Sequence, residues 1–266
     1  METLSVKNLS LSFGGLQVLS DISFDVNPGE VFAIIGPNGA GKTSILNSIS
    51  GFYRPESGQV FLDGRDISRL SPDRRAALGL GRTFQNIALY RGMSVLDNIK
   101  LGAHVNLHTG LFSALWYWGS AHREEMALRK EIEEDVIDFL EIEPIRRLPV
   151  GSLAYGLQKR VELARALAMR PKILLMDEPV AGMNAEETED MARFILDIRE
   201  ERGITIVLIE HDMKVIMDIS DRVLVLNFGQ KLAEGKPAAV QRHPDVIKAY
   251  LGEKKGSNGH LSATSG

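Results

Sequence analysis

The 266-residue sequence contains no cysteine. Disulfide bonds, thiolate metal sites and a cysteine nucleophile are therefore excluded, and the composition suits a reducing compartment. The sequence also has no apolar run that approaches the roughly 20 residues of a membrane-spanning helix, and its N-terminus lacks a basic segment followed by an apolar one. We therefore expect a chain that is neither exported nor membrane-spanning by itself.

An excess of positive charge is also missing. The formal net charge is −4, so the chain as a whole offers no general electrostatic attraction to nucleic acid or anionic lipid, and no nucleic-acid partner is expected. Hydrophobic residues make up 44% and charged residues 25%, which is typical of a globular protein and unlike a disordered or fibrous one. The length allows one large domain with a subdomain.

The first 51 residues predict strands, then a glycine-rich turn, then a helix. Strand-like segments cover residues 2–35, and the last of them, "VFAII", is a continuous apolar run that predicts a buried central strand. After the turn, "KTSILNSISG" has apolar residues at helical spacing and stops at Gly51, a common residue after a helix. Strand, glycine loop and helix therefore follow one another directly.

The whole pattern predicts one α/β domain over residues 1–252 with a helical insertion. Residues from about 86 to 157 show helical periodicity, as in "MSVLDNIKLGAH" and "REEMALRKEIEEDVIDFLEIE", without a strong strand pattern. Helix and strand then alternate through "KILLMDEP", "AEETEDMARFILDIREERG" and "ITIVLIE", which is typical of a mostly parallel sheet. Residues 253–266 are rich in Gly and Ser and predict a flexible tail.

The stretch "GPNGAGKTS" fits the phosphate-binding loop pattern of two glycines four residues apart followed by Lys and Thr. Its glycines let backbone N–H groups wrap phosphates, Lys42 would reach the terminal phosphates, and Thr43 would bind Mg²⁺. The alternative is an accidental glycine-rich turn, but the preceding strand and following helix favour a nucleotide site. The predicted nucleotide-binding residues are Gly36, Pro37, Asn38, Gly39, Ala40, Gly41, Lys42, Thr43 and Ser44.

Two consecutive carboxylates end the apolar segment "ILLMDEP". A buried strand would deliver Asp177 towards Mg²⁺ and Glu178 towards the γ-phosphate, where a carboxylate can orient and deprotonate the attacking water. The alternative is a pair of surface acids at a strand end. With the phosphate loop upstream, the segment predicts hydrolysis of ATP and not binding alone.

By these motifs, and by "LAYGLQKRVELARAL", the chain up to about Gly252 resembles the ATP-binding subunits of ABC transporters. The resemblance implies a P-loop NTPase (RecA-like) α/β core, an N-terminal antiparallel β subdomain and an inserted α-helical signature subdomain. It implies ATP and Mg²⁺ as the bound nucleotide and metal. It also assigns Phe13 to adenine stacking, Gln85 of "GRTFQN" to Mg²⁺ and water, and His211 of "LIEHDM" to the γ-phosphate. Taken alone, Phe13 would be a core residue at least as often as a stacking one, whereas Gln85 would more often be a solvated residue and His211 a structural one.

The signature segment begins a helix, and the resemblance implies that Ala154, Tyr155 and Gly156 contact the γ-phosphate held by a second subunit. The commonest signature has serine at the position of Ala154, glycine at Tyr155 and glutamine at Leu157. The segment "AGMN" carries Asn184 where the family usually has aspartate. Because backbone donors and Gly156 remain, we expect contact with the partner's phosphate to persist.

The resemblance implies that two ATP molecules lie between two paired ATPase subunits, in a homodimer or a heterodimer. Closure depends on the γ-phosphate, so hydrolysis would reopen the pair. Further implied partners are two transmembrane permeases and, indirectly, an extracytoplasmic solute-binding protein. The implied location is cytoplasmic, peripheral on the inner face of the cell membrane.

Several stretches resemble the branched-chain amino-acid uptake branch of this family, among them "SFGGLQVL", "RTFQNIALYRGMSVLDNI" and "LAYG". The implied function is an energy-coupling ATPase of an importer. Urea and amide uptake ATPases, lipid or lipopolysaccharide export ATPases, and a soluble ABC protein acting on ribosomes or DNA stay open as alternatives. A P-loop kinase would have no use for the signature or for His211.

An apolar group in the insertion has two interpretations. It either anchors the helical subdomain or forms a patch that faces a permease. The acidic segment that follows predicts a solvated amphipathic face. The apolar residues are Leu111, Phe112, Leu115, Trp116 and Trp118.

Overall fold

The computed structural model of the chain describes residues 2–103 and 132–256. It divides into two compact units, Met1–Ser71 with Thr205–Gly266, and Pro72–Ile204. Within the described ranges, no helix combines the length and the apolar character needed to cross a membrane. The apolar group at 111–118, the first part of the acidic segment and the stretch from 257 onwards lie outside the described residues.

The first unit contains an antiparallel sheet formed by β1 (Leu4–Phe13), β2 (Leu16–Val26), β4 (Ser57–Leu62) and β5 (Arg65–Asp66). The strand order is β2-β1-β4-β5, and all three neighbouring pairs are antiparallel. The turn between β1 and β2 is formed by two glycines with positive φ angles of 56° and 85°, which glycine adopts without steric penalty. This sheet confirms the predicted N-terminal antiparallel β subdomain.

The same unit contains a second sheet around β3 (Val31–Ile35). Parallel neighbours of β3 are β8 (Thr205–Ile209) and β9 (Arg222–Asn227), and β10 (Gln230–Gly235) pairs antiparallel with β9. Every residue of β3 and β8 is buried, as expected for parallel strands covered on both faces. The predicted buried central strand is therefore confirmed. The helices of this unit are α1 (Lys42–Ser50), α6 (Met213–Ile219), α7 (Pro237–Gln241) and α8 (Pro244–Gly256).

The second unit pairs β6 (Leu80–Arg82) in parallel with β7 (Ile173–Asp177). Its helices are α2 (Pro72–Ala77), α3 (Val95–Ala103), α4 (Tyr155–Leu167) and α5 (Ala185–Arg202), with a π-helical turn at Glu133–Ile137 and 3-10 turns at Glu143–Ile145 and Val150–Ser152. The predicted boundaries of the helical subdomain, 86 and 157, both fall inside this unit and stay a prediction.

Helix α5 shows how its own sequence sets its ends. The Asn184 side chain accepts the Glu187 N–H, and the Glu187 carboxylate accepts the Asn184 N–H, so the two residues form a capping box. The helix ends at Gly203, which is left-handed with φ of 64°. Asn184, where the family pattern has aspartate, therefore has a structural role as the helix cap.

Candidate functional site

The phosphate loop lies in the first unit between the end of β3 and the start of α1. Gly36 has φ of 150°, and a Cβ added there would overlap the carbonyl oxygen of Leu226. Gly41 has φ of 99°, and an added Cβ would lie 2.7 Å from Leu19 Cδ2. Both glycines are therefore required by backbone conformation and by space, and together they shape a loop that side chains would fill.

Lys42 is only 7% exposed and its charge is held against the loop. Its Nζ donates to the carbonyl oxygens of Gly36, at 2.7 Å, and Pro37, at 2.9 Å. Because Lys42 is also the first residue of α1, its ammonium lies near the positive end of the helix dipole and the N–H groups of the first turn, which lack intrahelical partners. The glycine-rich loop, the Lys42 ammonium and the N-terminus of α1 together form a set of hydrogen-bond donors that fits the phosphates of ATP.

Phe13 and His211 lie in the same unit as the phosphate loop. Phe13 ends β1, is 47% exposed, and packs edge-to-face against Tyr53 with ring centroids 5.0 Å apart. His211 is exposed just beyond the end of β8, and its backbone N–H donates to Glu210 Oε2 at 3.0 Å. The next residue, Asp212, caps α6. The Phe13 ring and the His211 side chain are thus both accessible, as stacking on adenine and contact with a phosphate require.

The two carboxylates Asp177 and Glu178 lie in the second unit, at the end of β7. Asp177 is buried, and Arg82 Nη2 lies 3.6 Å from its Oδ2. Glu178 is half-buried and has φ of 52°, a left-handed conformation that is strained for a residue with a side chain. Such strain is maintained only where the surroundings fix it, and it is common at functional sites.

Gln85 contacts Glu178 directly. Its Nε2 donates to Glu178 Oε2 at 3.0 Å, although the residues are 93 positions apart in the sequence. The structure therefore brings together two of the three predicted catalytic residues within one unit. The amide fixes one carboxylate oxygen of Glu178, so the other carboxylate oxygen has a defined direction.

The signature residues form the start of α4 in the second unit. Gly156 lies so close to Glu187 that an added Cβ would overlap its carboxylate. Tyr155 is exposed, and its Cε1 lies 3.2 Å from the position that a Cβ would take on Gly182 of the "AGMN" segment. Partial burial, and then the negative charges of Glu162 and Glu178, raise the pKa of Tyr155. Tyr155, which stands where the commonest signature has glycine, therefore packs on the predicted "AGMN" motif. Sequence reasoning missed this contact.

Ala154 is the N-cap residue of α4, with φ of −59° and ψ of 155°, and its side chain makes no capping hydrogen bond. Serine at an N-cap accepts a backbone N–H of the first turn, so we expect Ala154→Ser to stabilise the chain by about 1 kcal/mol. The ATPase activity of the assembled complex should be preserved or raised. Thermal unfolding should show a Tm increase of about 2 to 4 °C.

The matched control is Ala185→Ser, the same change at the first residue of α5, whose N-cap is already Asn184. No stabilisation is expected there. A collapse of ATPase activity in Ala154→Ser would show that the signature does not tolerate the hydroxyl and that backbone donors alone do not explain its contact with phosphate.

Comparisons with known proteins match the chain to one family along most of its length. Residues 19–181 match the family model described as ABC transporter, and residues 230–255 match the one described as branched-chain amino acid ATP-binding cassette transporter. The chain is 41% identical over 253 residues to the high-affinity branched-chain amino acid transport ATP-binding protein BraF of Pseudomonas aeruginosa, covering 94% of this chain and 98% of that protein. It is also 41% identical over 254 residues to the corresponding protein LivG of Escherichia coli, with the same coverage of 94% and 98%.

Comparison with solved structures leads to the same family. A nucleotide-free ATP-binding cassette from an ABC transporter superposes with a TM-score of 0.82 at 32% identity, covering 94% of this chain and 99% of that chain. The ADP conformation of such a cassette gives a TM-score of 0.82 at 32% identity, with 95% and 99% covered. A dimeric bacterial cassette gives 0.74 at 26% identity, with 88% and 98% covered. These likenesses confirm the predicted fold class.

Proposed function

The chain belongs to the ABC transporter family of ATPases, and on this premise we propose that it is the energy-coupling subunit of an importer for branched-chain amino acids. The observation that carries the substrate class is the match of residues 230–255 to the branched-chain family model, joined to 41% identity with two transport ATP-binding proteins of that class. This match favours branched-chain amino acids over the urea, amide and lipid alternatives. The resemblance inferred from the motifs is confirmed at the level of the family.

We assign nucleotide binding to the phosphate loop and Phe13. Loop N–H groups and the α1 N-terminus would bind the phosphates of ATP, Lys42 would contact the terminal phosphates, and Phe13 would stack on adenine. When bound, Mg²⁺ would neutralise phosphate charge. The residues that fit it by donor type are the Thr43 hydroxyl, the Asp177 carboxylate and the Gln85 amide.

We assign water activation to Glu178 for two reasons. Its carboxylate accepts a 3.0 Å hydrogen bond from Gln85, and its backbone is held in a strained, left-handed conformation. The carboxylate would accept a proton from the attacking water as the new bond to the γ-phosphorus forms, and ADP would leave with the electrons of the broken bond. His211 would contact the γ-phosphate and help to place that water. These roles make Glu178, Gln85 and His211 the catalytic residues of the proposal.

We further propose that the chain works in a pair with a second ATPase subunit of the same family. The dimeric cassette among its structural relatives supports pairing. In the pair, Ala154, Tyr155 and Gly156 of one subunit would face the nucleotide of the other. Loss of the γ-phosphate would then remove contacts that favour the closed pair, so hydrolysis would open it. We place the chain peripherally on the cytoplasmic face of the membrane, joined to two permeases that receive a solute-binding protein.

Affinity purification of the chain from detergent-solubilised native membranes, followed by mass spectrometry, tests this proposal. We expect two hydrophobic permeases and a second, related ATPase to be recovered. The recovered set should be reconstituted in liposomes and given leucine, urea or lipid with ATP. ATP-dependent uptake of leucine alone is the expected result. Uptake of urea, export of lipid, or recovery of ribosomes without permeases would overturn the substrate class or the transport role.

A further inference from the structure

The backbone around Gln85 is held by two buried, charged side chains of α4. Lys159 Nζ donates to the carbonyl oxygen of Phe84 at 3.3 Å and to that of Gln85 at 2.9 Å. Glu162 Oε1 accepts the N–H of Phe84 at 3.3 Å. Lys159 is 4% exposed and Glu162 is 1% exposed. Three successive peptide groups of the loop, from Thr83–Phe84 to Gln85–Asn86, are therefore fixed from one helix.

A third charged side chain of the same helix holds the loop further on. Arg165 Nη1 donates to the carbonyl oxygen of Ala88 at 2.5 Å. The same helix also packs closely on α3, because a Cβ on Gly102 of α3 would overlap the carbonyl oxygen of Arg165. Lys159, Glu162 and Arg165 recur at intervals of three residues, which places them along one side of the helix. We name these three residues the α4 clamp.

The far end of the loop is held by an uncharged side chain. Asn98 of α3 is fully buried, and its Oδ1 accepts the N–H of Tyr90 at 2.8 Å while its Nδ2 donates to the carbonyl oxygen of Tyr90 at 3.1 Å. The loop between β6 and α3 is thus fixed at both ends through its peptide groups. Its path therefore depends on these two helices.

Burial of the α4 clamp is electrostatically unfavourable, which points to a role for it. Burial raises the pKa of Glu162, and the positive charges of Lys159 and Arg165 oppose that rise. Burial likewise lowers the pKa of Arg165, against the effect of Glu162. An apolar helix face would avoid this desolvation, whereas charged groups aimed at peptide atoms fix one conformation of the loop.

We propose that Lys159, Glu162 and Arg165 are positioning residues that aim the Gln85 side chain at Glu178. Their hydrogen bonds described above go to peptide atoms, so they act through the backbone of residues 84–88. Because the α4 clamp attaches the loop to α4, a shift of this helix would move Gln85 away from Glu178. The first turn of the same helix carries the signature residues. The inference rests on the catalytic role that the proposed function gives to Gln85.

The test compares Glu162→Ala with the wild type in the full-length chain. Hydrogen–deuterium exchange of the peptide that contains residues 83–89 should become about tenfold faster, because a buried acceptor of a loop N–H is lost. The kcat for ATP should fall about tenfold, while ATP affinity should stay within about twofold, since the phosphate loop is unchanged. If Glu162 served stability alone, the variant would show a lower Tm, but kcat would not fall while ATP affinity stayed unchanged.

Two variants sharpen the comparison. Glu162→Gln keeps an acceptor oxygen for Phe84, so its kcat should return to within about threefold of the wild type. Asp190→Asn is the matched control, because it makes the same carboxylate-to-amide change in the 2.8 Å ion pair between Asp190 and Arg160 of α4, away from the loop. This control should alter neither kcat nor exchange in residues 83–89.

A double variant separates positioning from other effects. When Gln85→Ala is already present, Glu162→Ala should lower kcat no further, because both changes act through the same side chain. Additive losses, or unchanged exchange in Glu162→Ala, would overturn the positioning role. Faster exchange with unchanged kcat would overturn it while leaving the proposed function intact. Wild-type turnover in Gln85→Ala alone would instead remove Gln85 from the proposed mechanism, and the positioning role with it.

Discussion

Glu178→Gln is expected to lower the rate of ATP hydrolysis by about 10² to 10⁴-fold while leaving ATP affinity close to that of the wild type. The amide keeps the size of the side chain, and its oxygen can still accept the 3.0 Å hydrogen bond from Gln85. It cannot accept a proton from water. Single-turnover hydrolysis gives the rate, and equilibrium binding of ATP gives the affinity.

The same variant should collect as a closed pair of subunits, because the γ-phosphate contacts survive when water activation fails. Size-exclusion chromatography with light scattering, with and without ATP, measures this shift. Glu201→Gln serves as the control, since it makes the same change on an exposed side chain in the last turn of α5. Wild-type turnover in Glu178→Gln would show that another group activates the water.

Lys42→Ala is expected to weaken ATP binding by about 10- to 100-fold, which corresponds to about 1.5 to 3 kcal/mol for hydrogen bonds to a charged group. The loss should be larger for ATP than for ADP, since the ammonium is assigned to the terminal phosphates. Isothermal titration calorimetry with both nucleotides measures the difference.

The control for this change is Lys7→Ala, which removes an equal charge from β1, where Lys7 Nζ lies 5.0 Å from the centre of the Phe61 ring. ATP affinity should not change in the control. Losses in Lys42→Ala that are equal for ATP, ADP and adenosine would indicate a collapsed loop and not a missing phosphate contact, because adenosine has no phosphate. Circular dichroism of both variants shows whether the two chains remain folded.

Local pattern was sufficient for the longer elements. The five apolar residues of β3 and the four apolar residues that begin β7 lead directly to chemistry-bearing residues, and the helix of residues 185–202 carries its own capping box and is followed by a terminal glycine. The strands β4, β5 and β6 and the helix α2 were not predicted. They contain two to six residues and no apolar run like those of β3 and β7, so neither a strand nor a helix pattern could be recognised.

The candidate site divides in the same way. Its phosphate loop, its two consecutive carboxylates and its signature segment each occupy one short stretch, so residue type and spacing were enough to nominate them. Nothing in those stretches predicted that Tyr155 packs on Gly182, or that two charged residues of a predicted helix, Lys159 and Glu162, are buried. A charged residue on a helix is usually solvated, so the pattern alone indicates a surface position.

The sequence by itself determined the family of this protein and nominated its chemistry: a glycine-rich loop suited to phosphates and a carboxylate suited to accept a proton. Only the tertiary structure decided how Gln85 reaches Glu178, 93 residues away, and how Lys159 holds Phe84 across 75 residues. The reason is physical. Phosphate-binding loops and helix caps arise from neighbours along the chain, whereas contacts between distant residues depend on how helices and strands pack, and no local pattern encodes that packing.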